Sequence, residues 1–119
     1  MLKQVIAVRQ DLNFSKSEIG KIIGWASFVS AKKTRTNDSK KLSSWLNSGQ
    51  KKVVLKILNL DSLKDLEKKL ESHKKVNYVC LDNQNSNINI SKKNELIAIG
   101  IGPDEENILS GLTRMYKLY

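Results

Sequence analysis

Hydrophobic residues follow two rhythms along this chain. Short apolar blocks rich in β-branched residues, at 4–8, 53–58, 76–81 and 96–101, predict four strands. Between them, apolar residues recur at spacings of three and four. The loop Asp11-Leu12-Asn13-Phe14 leaves the first strand and reaches Ser15, a good N-cap, and Glu18 three positions on completes a capping box. Apolar positions 19, 22, 23, 25, 26, 28 and 29 then predict a helix buried around most of its circumference. The polar stretch 34–38 is expected to end it. Leu42, Trp45 and Leu46 predict a second helix, terminated by Gly49.

A third helix is expected to start from a cap at Asp61 or Ser62. Its Leu63, Leu66 and Leu70 face inward, with Asp65–Lys69 and Glu71–Lys75 pairs on the solvated side. Residues 83–94 are asparagine-rich and aperiodic, which predicts a long loop. A last helix is expected to open in Gly102-Pro103-Asp104-Glu105-Glu106, with proline early and acids in the first turn. Strands alternating with helices argue for an α/β layered fold. No repeat or linker divides it, so one domain over 1–119 is expected.

Composition narrows the chemistry. None of the apolar runs approaches the ~20 residues that span a bilayer, and the first residues lack a signal-peptide pattern. Cys80 is the one cysteine, which excludes an internal disulfide and suits a reducing cytoplasm. With His73 the one imidazole, no structural zinc or other metal site is expected. Cys80 reads as core and His73, beside Lys74 and Lys75, as surface. The net charge is +9, and all but Arg9, Arg35 and Arg114 of the 21 basic residues are lysine. That balance suits a polyanion such as nucleic acid, or equally a merely soluble surface. Lysine meets phosphate as a point charge, so backbone rather than base recognition is expected.

Several segments resemble the type 2 peptidyl-tRNA hydrolases of archaea and eukaryotes. Val8-Arg9-Gln10-Asp11-Leu12 resembles their first strand and its Arg-X-Asp-Leu exit, and Phe14-Ser15-Lys16-Ser17-Glu18-Ile19 their helix start. Trp45 with Gly49-Gln50-Lys51-Lys52-Val53-Val54-Leu55-Lys56 resembles their Trp…Gly-Gln-X-Lys-Val-Val-X-Lys segment. Leu96-Ile97-Ala98-Ile99-Gly100, Gly102-Pro103-Asp104-Glu105-Glu106 and Tyr116-Lys117-Leu118 resemble the closing elements. The resemblance implies a three-layer α/β/α domain around a four-stranded mixed sheet, a homodimer, and hydrolysis of the ester joining a peptide to tRNA, without a cofactor.

The first helix departs from that pattern. Where the family has lysine, glutamine and histidine on one helical face, this chain has Glu18, Ile22 and Trp25. Ester hydrolysis needs an activated water and a donor for the oxyanion, which an isoleucine and a tryptophan do not supply. Asp82 falls at the family's aspartate, Ser86 keeps a hydroxyl nearby, and Glu95 stands near a later threonine. Three readings therefore stay open. One is a divergent hydrolase using Asp82, Ser86 and Glu18. The second is a non-catalytic relative binding tRNA or peptidyl-tRNA through Lys16, Lys21, Lys32, Lys33, Lys51, Lys52, Lys92 and Lys93, expected to flank the site. The third is a protein-interaction module on an Ile22/Trp25 face.

Overall fold

The computed structural model describes residues 1–83 and 94–119. Its elements run β1 (Leu2–Arg9), α1 (Lys16–Asn37), α2 (Ser39–Asn47), β2 (Lys52–Ile57), α3 (Leu60–Ser72), β3 (Tyr78–Asp82), β4 (Leu96–Glu105), α4 (Glu106–Thr113) and β5 (Lys117–Leu118). The sheet has the order β3-β4-β1-β2-β5. β1 and β2 are parallel, and the other pairings are antiparallel. The sheet is mixed, as expected, but has five strands rather than four. β5 escapes the periodicity because it is two residues long, its pairing being Leu55 with Leu118 and Lys56 with Lys117.

Alternation along β1 builds the three layers. Val5 and Ala7 join Leu63, Leu66 and Leu70 of α3 and Leu109 of α4 in one core. Ile6 and Val8 point the other way, onto Ile22 and Ala26 of α1. α1 lies very close to the sheet at Gly100, where an added Cβ would sit 2.6 Å from the Ala26 carbonyl oxygen.

Three expected boundaries move. α1 continues through 34–37 because its polar residues are satisfied internally. Ser30 donates to the Gly102 carbonyl at 2.5 Å, and buried Thr34 donates to the Ser30 carbonyl at 3.2 Å. Asp38 then ends α1 and starts α2, its N–H donating to the Thr34 carbonyl and its carboxylate accepting from the Lys41 N–H. α3 is capped by Asn59, whose side chain accepts from the Ser62 N–H, rather than by Asp61 or Ser62. Pro103 lies in β4 rather than in the opening turn of α4. Pairing of Leu2 with Glu105 and Lys3 with Asp104 carries the strand past it, across a register shift between Lys3 and Val5. Asp104 is consequently buried and ion-paired to Lys41 at 3.0 Å, leaving Glu106 as the acid in the first turn of α4.

Among the described residues, no helix is long and apolar enough to cross a membrane. Most of the expected 83–94 loop, including Ser86, Lys92 and Lys93, lies outside the described residues.

Candidate functional site

β1 and β2 end, and β4 begins, at the same edge of the sheet, where Val8 pairs with Ala98 and Arg9 with Ile57. β3 ends there too, Asp82 being opposite Leu96. The topology thus gathers Arg9, Asp11, Asp82 and Glu95 around the strand ends, with the N-terminus of α1 one short loop away.

Arg9 organises this end. Its side chain is 5% exposed and forms a fork, Nε and Nη2 donating to the two carboxylate oxygens of Asp11 at 3.0 and 2.7 Å. Nη1 donates to Glu95 Oε1 and to the Leu96 carbonyl, both at 2.9 Å. The Asp11 hydrogen bonds hold the guanidinium even more firmly protonated than usual, against the opposing effect of burial. Glu95 is fixed from a second side, its N–H donating to the Asn83 side chain at 2.9 Å. Glu95 is therefore part of an ion cluster built around the buried Arg9. Sequence reasoning did not identify this cluster. Its local signal is the Arg9-X-Asp11 spacing, but the Glu95 half lies 86 positions away.

The start of α1 closes on itself. The Ser15 N–H donates to Glu18 Oε1 at 2.9 Å, and the Glu18 N–H donates to Ser15 Oγ at 3.2 Å, completing the capping box. The Ser15 backbone N–H first, and the Ser15 hydroxyl second, draw the Glu18 carboxyl below its ordinary range. Ile22 is fully buried in the α1-side core and has no surface to offer a partner. Trp25 is half-buried and packs against the same core. Asp82 shares a pocket with Leu60, Lys64, Asn94, Glu95 and Leu96.

The expected cationic rim divides in two. Lys16 and Lys21 lie in the opening turns of α1, near the strand ends. Lys32 and Lys33 are eleven to seventeen residues further on, about 17–26 Å along the helix. Lys33 reaches the start of β3, donating to the Tyr78 carbonyl at 2.9 Å. Lys51 and Lys52 precede or open β2, beside Gln4 and thus at the far end of the sheet from Arg9. Lys51 is held by Glu106 at 2.6 Å, and Lys52 lies over the Trp45 ring. The structure does not bring these lysines together around one site.

Among the described residues, no cluster of histidine, cysteine and acids is arranged to hold a metal. Burial, reinforced by its hydrogen bond to Glu67 at 3.2 Å, pushes the Cys80 thiol up to about 12, so it is not a nucleophile at neutral pH.

The sequence compares closely with known proteins. The family described as peptidyl-tRNA hydrolase PTH2 matches over residues 2–119. A peptidyl-tRNA hydrolase of Thermoplasma volcanium is 33% identical over 118 residues, covering 99% of this chain and 98% of its own. Those of Nanoarchaeum equitans and Methanococcus maripaludis (strain C7) are 32% and 34% identical, covering 100% and 99% of this chain and the same shares of their own.

Proposed function

The chain belongs to the peptidyl-tRNA hydrolase PTH2 family, and from that premise we propose that it binds the tRNA part of peptidyl-tRNA without hydrolysing the ester at the family's rate. One observation carries this reading. The three positions of α1 that the family resemblance assigns to chemistry are occupied by a helix cap and by core packing, at Glu18 and at Ile22 with Trp25. A carboxylate held by Ser15 and shifted toward its charged form is a weak base, and it has the wrong sign for a phosphate or an oxyanion. Asp82 keeps its place at the strand ends, and Ser86 remains its candidate partner. Without a base, the two do not complete a triad.

Losing an acid–base group costs ~10²–10⁴ in rate and losing an oxyanion donor ~10²–10³, and such losses do not simply multiply. Turnover at least about a thousandfold below that of an active family member is expected. In this reading the whole chain acts as one domain in the cytoplasm, as a homodimer. Lys16 and Lys21 lead the contact with the phosphate backbone, since among the described residues no ion pair engages them. The test is a peptidyl-tRNA turnover assay beside an active relative, with binding measured on the same substrate. Binding without turnover supports the reading; turnover at the relative's rate, abolished by Asp82→Ala, overturns it.

A further inference from the structure

We propose that the groove between α1 and α2 is a docking site for an acidic amphipathic helix of a partner protein. The groove has a volume of about 390 Å³ and is lined by Phe28, Ala31, Lys32 and Arg35 of α1 and by Leu42 and Leu46 of α2. Phe28 is 66% exposed and Leu46 44%, whereas Leu42 forms a floor at 9%. Phe28, Ala31, Lys32 and Arg35 are spaced i, i+3, i+4 and i+7, so they form one row along the helix. Gly24 and Lys21 extend that row toward the start of α1. Gly24 opens onto free space, with nothing within 4 Å of an added Cβ. The row from Lys21 to Arg35 is about 21 Å long, matching four turns of a partner helix laid along it.

Charge selects the occupant. No acid occurs between Glu18 and Asp38 or anywhere in α2, while Lys21, Lys32, Lys33, Arg35 and Lys40 all do; Lys41 is already answered by Asp104. Asp38 is already engaged as the cap of α2. A second copy of this chain seated across the groove would set these cations against one another with no acid to answer them. An RNA backbone would satisfy the cations but would leave the Phe28, Ala31, Leu42 and Leu46 surface against phosphates. A helix with leucines along one face and glutamates beside them satisfies both parts. This surface lies on the outer side of α1, away from Ile22; it shares Lys21 with the proposed RNA contact, so the experiment reads residues 28 to 46 instead.

The experiment titrates the isotope-labelled full chain with a 15-residue helical peptide carrying leucine at i, i+3 and i+7 flanked by glutamate, followed by amide chemical shifts. A control peptide has lysine for each glutamate. The acidic peptide is expected to bind saturably and to shift residues 28, 31, 32, 35, 42 and 46. Phe28→Ala, at a largely exposed position that leaves the fold intact, should weaken it tenfold or more. Lys32→Glu with Arg35→Glu should weaken it as much and transfer binding to the lysine peptide. Absence of shifts at these positions overturns the proposal, as does equal binding of both peptides. So does a short RNA duplex shifting the same residues at lower concentration, or loss of a dimer on Phe28→Ala.

Discussion

Ile22, where the resemblance expects a glutamine, is part of the core, and a glutamine there would place an amide among Ile6, Val8 and Ala26. Ile22→Gln is expected to cost about 3 kcal/mol by loss of packing and burial of an unpaired amide, read from urea unfolding. Glu18 acts in the opposite sense, since its carboxylate supports the helix start. Ser15→Ala, which removes that cap, should cost about 1 kcal/mol. The carboxyls of Glu18 and Glu106 are both held below their ordinary range, by Ser15 and by Lys51 respectively. Their contribution is therefore present above the unfolded carboxyl's value and is lost as pH falls through the depressed folded values. Glu106→Gln should flatten the acid limb of stability against pH. Cys80 has the reverse sign, protected while protonated, so its alkylation at pH 8 should be slow in the native protein and fast in denaturant.

The elements differ in how far the sequence revealed them. The start of α1 was legible because a capping box is a local pattern of four residues. Its end was not, because Ser30 and Thr34 satisfy their hydroxyls within the helix and against Gly102, a partner 72 positions away from Ser30. β4 outran its expected end because pairing with β1 overrode the usual meaning of proline and acids as a helix start. The lysines were legible as charges but not as a site, since their position depends on which sheet end each element reaches. At this scale two substitutions report on how the strand ends and α1 are held. Gly100→Ala should cost about 1–3 kcal/mol, because the Ala26 carbonyl 2.6 Å away is backbone and retreats only with α1. Arg9→Met should cost about 1–3 kcal/mol by leaving the part-exposed Asp11 and Glu95 without their cation.

For the whole molecule, the proposed reading assigns the net charge of +9 to contact with the RNA rather than to chemistry on the ester. If Lys16 and Lys21 each neutralise one phosphate, Lys16→Gln with Lys21→Gln should reduce the slope of log affinity against log salt by about two. Changing Lys51, already held by Glu106, should leave that slope nearly unaltered. The central claim is that this chain keeps the binding and has lost the reaction. It is tested most directly by single-turnover cleavage of a peptidyl-tRNA at saturating protein, with occupancy measured in the same tube. The account predicts full occupancy with cleavage at least about a thousandfold slower than by an active family member. Cleavage at the relative's rate from the bound complex would contradict it.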